Sequence, residues 1–340
     1  MKPARPRLFL LALNHAPVAL FTVVLAVFGL LAPQFFSVQN FTNIGVQASS
    51  NALVAIGMTF VLLTAGVDLS VGAIMFIAAA VAGKLLLAGH SFPLALAAML
   101  GVGAFGGAVN ALLITRLGVL PFVVTLATLY VGRGFALWLT QTRAMNLPES
   151  FLQLGAMKFA GVPLPVALCA VVLLLAHLTL TRTPFGRQIY AVGADLEAAR
   201  KAGVYTNRRV VCAYVLCGLC AALGGIVALA QIGAVSPKFG ENREFTAIAA
   251  AVLGGTSLFG GRGRVFPGTI IGALLIQSVE NGLVMLNADP YLYPLITSAI
   301  IFLAVLLDSA RHRMLAHLGR RKIRVEEAAW KLSKRTSEGY

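Results

Sequence analysis

Long apolar runs dominate this chain and leave it few ways to fold. Most of the runs are about as long as the 17 to 25 residues that a helix needs to cross a bilayer, and polar connections separate them. Only 11% of the 340 residues are charged, whereas soluble chains carry roughly 25%. Because a bilayer offers no water to an unpaired backbone, each run must satisfy its own hydrogen bonds as a helix. The sequence therefore predicts an all-α, polytopic membrane protein.

We expect about ten transmembrane helices, with both termini in the cytoplasm. The predicted spans are residues 16–32, 44–64, 71–88, 93–115, 120–140, 163–180, 210–232, 245–256, 265–286 and 292–307. The eighth, of about 12 residues, is shorter than a straight span requires and is expected to be broken or re-entrant. Eight or nine spans is the alternative. We expect residues 1–310 to form the transmembrane domain and the basic tail, 311–340, to lie on the anionic inner leaflet.

The positions of the basic residues predict the orientation. A net charge of +15 would suit a protein that binds nucleic acid. However, 21 of the 27 lysines and arginines fall in the predicted cytoplasmic segments, four in the outer loops and two in the spans. This asymmetry follows the positive-inside rule. The charge is thus expected to reflect topology, and we expect no nucleic-acid partner.

The longest polar interruption, residues 181–209, separates two apolar halves. Asp195 stands where a helix N-cap belongs, residues 196–202 are good helix formers, and Gly203 supplies a left-handed stop. A helix of about two turns is unstable alone in water, so it is expected to rest on something. Six basic residues place the segment in the cytoplasm: Arg182, Arg187, Arg200, Lys201, Arg208 and Arg209. We expect this capped helix to be offered to a cytoplasmic partner.

An acidic residue interrupts the apolar sequence before the third span. Asp68 lies in GMTFVLLTAGVDLSVG, residues 57–72, and an ionised aspartate at the bilayer centre costs about 2.5 to 3.5 kcal/mol. In one interpretation Asp68 caps the third span by accepting from the amides of Ser70 and Val71. In the other, Asp68 and Ser70 line a transport path.

A second polar group lies in the ninth predicted span. Gln277, Ser278 and Asn281 fall on one helical face, because positions i and i+4 stack. Glu280 lies about 100° around the helix from Asn281. Uncharged amides and hydroxyls suit a path for polyhydroxylated solutes. The same groups can equally hold helices together by hydrogen bonds.

Several short motifs are better explained by helix packing than by chemistry. Cys217 and Cys220 form a CxxC pair with no second pair or histidines, so these two, Cys169 and Cys212 are expected to be small packing residues. The glycines of residues 101–107 and 268–272 indicate close helix contacts. We expect no nucleotide site, because the sequence lacks a G-x-x-x-x-G-K-[ST] loop. We expect no catalytic or metal-binding residues either, and so no enzyme.

Three segments together resemble one family. They are GMTFVLLTAGVDLSVG (57–72), GRQIYAVGADLEAARKAGV (186–204) and EFTAIAAAVLGGTSLFGGRGRVFPGTIIGALL (244–275), the last followed by ENGL (280–283). In this order they resemble the permease subunits of ribose, arabinose, xylose and galactose type ABC importers, over about Asn40 to Leu307. The motif glycines are Gly57, Gly72, Gly254, Gly255 and Gly261. The chain departs from its relatives at Ala65, where many carry glycine, and at Phe259, where a small residue is common.

The resemblance implies an inner-membrane subunit paired with a second copy or a sister permease. It would receive a small sugar from a periplasmic binding protein and be driven by a cytoplasmic ABC ATPase, which would hold ATP and Mg²⁺; no cofactor is implied on this chain. The coupling segment would dock into a groove of the ATPase through Asp195, Glu197, Ala198, Arg200, Lys201 and Gly203. A different class stays open: an ion-coupled secondary transporter or channel in which Asp68 carries a proton or ion, with no need for an ATPase.

Overall fold

The computed structural model describes residues 4–303, 305–306 and 309, with side chains from Pro17 onward except that of Ser150. The predicted basic tail, 311–340, and residues 304 and 307 of the tenth predicted span lie outside this range. The part described is a bundle of helices with four very short strands.

Thirteen helices are found in the described residues. They are α1 Ala4–Leu31, α2 Val38–Leu63, α3 Val71–Leu87, α4 Phe92–Leu117, α5 Pro121–Thr140, α6 Glu149–Ala156, α7 Leu164–Arg182, α8 Pro184–Ala194, α9 Leu196–Lys201, α10 Thr206–Ile232, α11 Arg243–Leu253, α12 Ile270–Met285 and α13 Leu292–Leu303. A 3-10 turn, Pro33–Phe36, precedes α2, and a π-helical turn, Val265–Thr269, leads into α12. Strand β1 (Met145–Asn146) pairs antiparallel with β4 (Ala234–Val235), and β2 (Lys158–Phe159) with β3 (Val162–Pro163).

Each predicted span coincides with a helix, although several boundaries were wrong. Six helices are long and apolar enough to cross a membrane: α2, α4, α5, α7, α10, and α12 with its π turn. Residues 17–31, α3 and α13 are shorter apolar helices. Residues 38–43, expected in an outer loop, belong to α2, and α10 begins at Thr206 instead of Val210. Hydropathy detects only the apolar part of a helix, whereas the backbone hydrogen bonds continue into polar residues. The total number of crossings stays a prediction.

Helix α2 forms the centre of the bundle. Every residue from 48 to 63 is buried, and the helix packs against α7, α10, α11 and α12. At Gly57 it lies against Cys217 and Cys220 of α10, where an added Cβ would come within 2.6 Å of the Cys220 side chain. These two cysteines therefore have the packing role that the sequence indicated.

Small residues also lie at the other close helix contacts that the sequence predicted. Gly103 and Gly107 of α4 lie directly against the backbone of α10. Gly268 and Gly272, before and within α12, lie against the backbone at Gly254 and in α11. Without side chains the backbones approach closely, which is how helices associate in lipid.

The eighth predicted span is a half helix, reached by a loop that turns back into the bundle. Helix α11 has 11 residues and is about 16 Å long, half of a hydrocarbon core of about 30 Å. Before it, the chain follows α3 from Val235, beside Gly83, to Gly240, beside Gly72. That descent also covers about 16 Å, because 11 helical residues separate the two α3 glycines. The irregular backbone thus runs against protein, where it is tolerated at membrane depth.

Four connections lie together at one end of the bundle, here called the basic end: residues 64–70, 118–120, 183–205 and 254–264. The Gly261 amide donates to the carbonyl of Leu63 over 3.0 Å, and Thr125 Oγ1 donates to the carbonyl of Val67 over 3.3 Å. The described basic residues here are Arg116, Arg182, Arg187, Arg200, Lys201, Arg208, Arg209, Arg262 and Arg264. The positive-inside rule predicts that this end lies in the cytoplasm.

Candidate functional site

Two short helices, not one, occupy the central polar segment. The first, α8, was missed from sequence. It begins at Thr183, whose Oγ1 accepts a hydrogen bond from the Gly186 amide over 3.2 Å, and Pro184 fills its first turn. A Thr-Pro pair is a standard start signal, because threonine caps the helix and proline needs no hydrogen-bond partner there. That pair was the signal available in the sequence.

The second helix, α9, has the two caps that the sequence predicted. Asp195 Oδ1 accepts from the Ala198 amide over 2.9 Å. At the other end Gly203 has φ +80° and donates to the Arg200 carbonyl over 3.0 Å, while the following amide, of Val204, donates to Ala199 over 3.1 Å. This pair of bonds is a Schellman motif, which needs a left-handed residue. Both ends of α9 are therefore closed by local contacts.

Helix α9 projects from the basic end. Of its six residues only Ala199 is buried. The predicted coupling residues Glu197, Ala198, Arg200 and Lys201 are exposed, and Leu196 is 46% exposed. The helix thus exposes one large apolar side chain, that of Leu196, among charged ones.

Helix α8 holds α9 on the bundle. The Tyr190 hydroxyl donates to the Gly263 carbonyl over 2.9 Å. Burial raises the pKa of the Tyr190 phenol, with Arg264 opposing the shift, so the group stays protonated and able to donate. Gly193 lies against the Leu63 carbonyl and the Gly261 amide so closely that no Cβ would fit. The three motifs, far apart in sequence, therefore meet at α8, which leads directly into α9.

The motif glycines occupy tight contacts or left-handed turns. Gly72 lies against Gly240, Gly254 against Gly268 and Gly261 against Ala194; Gly255 has φ +90° and Gly261 φ +66°. Ala65, one of the two departures, has φ +61°. An L-residue pays roughly 1 to 2 kcal/mol for this conformation and glycine does not. A glycine at this position, as the resemblance implies for relatives, would avoid that cost.

Asp68 is fully buried and ties the α2–α3 connection to α4. Its Oδ1 accepts from the Ser70 amide over 2.9 Å and from the Ser70 hydroxyl over 2.6 Å. Asn110 Nδ2 donates to Ser70 Oγ over 2.8 Å, and Thr128 Oγ1 of α5 donates to Asn110 Oδ1 over 2.7 Å. One of the two amides predicted to donate to Asp68 does so, but the second donor is a hydroxyl instead of Val71. The cap of α3 is Ser70.

The polar residues of α12 belong to a different group. Gln277 Nε2 donates to Gln47 Oε1 of α2 over 2.9 Å, and Ser278 is buried. Nearby in the same layer, Thr246 of α11 donates to Asn51 of α2 over 3.1 Å. The residues predicted for a transport path therefore lie at two separate places: Asp68 and Ser70 before α3, and Gln277, Ser278 and Asn281 on α12. The bond from Gln277 agrees with its reading as a contact between helices.

The sequence analysis did not predict which charged residues inside the bundle lie near one another. Arg133 of α5 lies near Glu244, at the start of α11, and Arg243 lies near Glu280 of α12. Glu244 is only 3% exposed. Charges at membrane depth usually pair with one another. Single charged residues within apolar runs were the signal available in the sequence. Only the packing of the helices shows which of these residues lie near one another.

Asp195 allows a test of α9 itself. We expect Asp195→Ala to weaken the helix by about 1 kcal/mol, the usual cost of losing an N-cap, while Asp195→Asn retains the cap. Hydrogen exchange of the amides of residues 196–204 should accelerate about fivefold in the alanine variant and stay near wild type in the asparagine variant. Unchanged exchange in Asp195→Ala would show that the cap does not hold α9.

Comparison with known proteins extends over most of the chain. Residues 40–306 match the family described as branched-chain amino acid transport system / permease component. The ribose import permease protein RbsC of Escherichia coli K12 is 38% identical over 294 residues, covering 85% of this chain and 91% of that protein. The D-allose transport system permease protein AlsC of the same organism is 38% identical over 291 residues, covering 84% and 88%.

A third relative, the galactofuranose transporter permease protein YtfT of Escherichia coli K12, is 38% identical over 301 residues, covering 85% of this chain and 87% of that protein. No solved structure matches the chain. The resemblance seen in the three sequence motifs is thereby confirmed. The chain belongs to this family of transport-system permease components, as a multi-pass protein of the cell inner membrane.

Proposed function

We propose that the chain is the membrane-spanning permease subunit of an ATP-driven importer that moves a monosaccharide or related small polyol into the cytoplasm. Three relatives are named for ribose, D-allose and galactofuranose. A fourth, from Photorhabdus luminescens, is named for autoinducer 2 import. The solute is therefore proposed as a class and not as one sugar.

The observation that carries the proposal is the projecting, doubly capped α9. Leu196 supplies an apolar anchor, and Glu197, Arg200 and Lys201 surround it with charge. Protein interfaces commonly combine a central apolar contact with a polar rim. The sequence has no phosphate-binding loop of its own, so ATP and Mg²⁺ would be held by a separate cytoplasmic ATPase with a groove that receives α9.

The contacts of α8 connect α9 to the membrane helices and would transmit a movement of the ATPase to them. The backbone amide of Asp195 donates to the Ala191 carbonyl over 3.1 Å at the end of α8, and the side chain of the same residue caps α9. The two helices would therefore move together. Helix α8 bears on the end of α2 at Leu63 and on the 254–264 loop, which leads into α12. A movement of the ATPase would thus shift packed helices between inward-facing and outward-facing arrangements. The periplasmic sugar-binding protein would dock at the opposite end, and a second permease copy or sister permease would pack alongside.

Affinity purification in mild detergent tests the proposal. We expect an ABC ATPase to be recovered with the full chain from its native membranes. Leu196→Asp should reduce that recovery about tenfold, because a buried unpaired carboxylate at the interface is costly. Leu152→Asp is a matched control, since Leu152 is 40% exposed on α6, away from the basic end. Absence of an ATPase, or equal recovery with both variants, would contradict the proposal.

The Asp68→Asn variant tests the ion-coupled alternative. An amide oxygen can accept the same bonds from Ser70 and Asn110, so we expect Asp68→Asn to fold and to retain most of its sugar uptake. Asp68→Leu removes the acceptor of the buried Ser70 amide and hydroxyl, at about 1 to 3 kcal/mol, and should lower the melting temperature. Uptake in cells and melting in detergent measure the two effects. A folded Asp68→Asn protein without uptake would favour a carrier carboxyl.

A further inference from the structure

A cavity of about 560 Å³ opens at the basic end, between α1 and the start of α12. One wall is apolar and is formed by Pro17, Val18 and Ile271, whereas Arg262 and Arg264 line another. The remaining lining residues are Gly254, Gly255, Gly263, Pro267 and Gly268. The cavity is thus apolar toward the helices and cationic toward the end of the bundle.

The two arginines are carried by a structured turn. The Arg262 carbonyl accepts from the Ser257 amide over 2.9 Å, and the Arg264 carbonyl accepts from the Thr269 amide over 3.1 Å. Both side chains are exposed, and none of the residues lining the cavity is acidic. The cavity wall therefore offers two guanidinium groups without a carboxylate to neutralise them.

We propose that this cavity binds an anionic phospholipid of the cytoplasmic leaflet, with its phosphate at Arg262 and Arg264 and an acyl chain along Val18 and Ile271. Guanidinium groups match phosphate oxygens in geometry and charge. Basic pockets between transmembrane helices on the cytoplasmic side suit anionic headgroups. A free phosphate would leave the apolar wall uncovered, whereas a lipid satisfies both walls.

The location links the lipid to the base of α9. Gly263 lines the cavity, and its carbonyl accepts the hydrogen bond from Tyr190 of α8. Arg264 lies close enough to Tyr190 to influence it electrostatically. A bound headgroup would therefore brace, from the membrane side, the same turn that supports α8.

Lipid binding to the purified full chain tests the proposal without any transport assay. Native mass spectrometry would compare phosphatidylglycerol with phosphatidylcholine of identical acyl chains. We expect the anionic lipid to bind preferentially, and R262Q/R264Q to weaken its binding about tenfold or more, because the charge-assisted hydrogen bonds from the guanidinium groups to the phosphate are lost. The control R116Q/R182Q removes the same charge at the same end, outside the cavity, and should bind like wild type.

Three results would overturn the proposal: equal binding of the two lipids by wild type, equal loss in both double variants, or displacement of phosphatidylglycerol by millimolar inorganic phosphate, which would indicate a free-anion site. If R262Q/R264Q fails to fold, the wild-type lipid comparison still decides. None of these measurements depends on the ATPase, so this proposal and the proposed function can fail separately.

Discussion

Replacing Gly193 with alanine is expected to abolish sugar uptake, whereas the same change at Gly134 leaves uptake intact. A Cβ at Gly193 would collide with the Leu63 carbonyl and lie 2.6 Å from the Gly261 amide nitrogen. Both atoms belong to backbone and cannot rotate away. Overpacking of this kind costs about 1 to 3 kcal/mol or more. We expect α8 to be displaced and α9 to lose its support.

Gly134 is a close match for the control, because it is also helical but has nothing within 4 Å of the added Cβ. Alanine there even gains helix propensity of about 1 kcal/mol. Both variants would be compared for membrane level, melting temperature in detergent, and uptake of labelled ribose and D-allose. The Gly193 variant should lose uptake and melt earlier. Normal uptake at equal membrane level would show that the close contact of Gly193 with Leu63 and Gly261 is not needed for coupling.

Replacing Gly203 with valine is expected to uncouple transport without disturbing the bundle. Gly203 has φ +80°, a conformation in which a β-branched residue is a severe outlier. The Schellman motif at the end of α9 would open, and a helix of six residues cannot persist without its caps. Because α9 is exposed, membrane level and melting temperature should match wild type. Recovery of the ATPase should fall about tenfold or more, and uptake should fall with it.

The Gly89→Val variant is the control that separates the effect of backbone strain from the effect of a change at the end of α9. Gly89 has φ +81° and nothing within 4 Å of an added Cβ, so valine meets the same backbone penalty there, but beyond the far end of α3. This variant should bind the ATPase and transport normally. If the two valine variants behave alike, the cap of α9 is not a coupling element.

The structure also shows which partners the polar residues inside the bundle contact. Asp68, which by sequence could have been a helix cap or part of a path, is a buried acceptor for Ser70 and a neighbour of Asn110. Gln277, proposed for the path, bonds to α2. In a helix, a buried amide is equally compatible with a solute or with another helix, and the choice depends on which side chain packs opposite it.

Hydropathy and local motifs were enough to predict the membrane class, the positions of the long apolar helices, the short eighth segment and both caps of α9. These features depend on hydropathy over one helix or on residues within a single turn, so their physical cause is local. The contact of Gly193 with Leu63 and Gly261, and the approach of Arg133 to Glu244, are visible only in the folded structure. Such contacts join segments more than 60 residues apart, and they follow from how closely whole helices pack, which no single stretch of sequence contains.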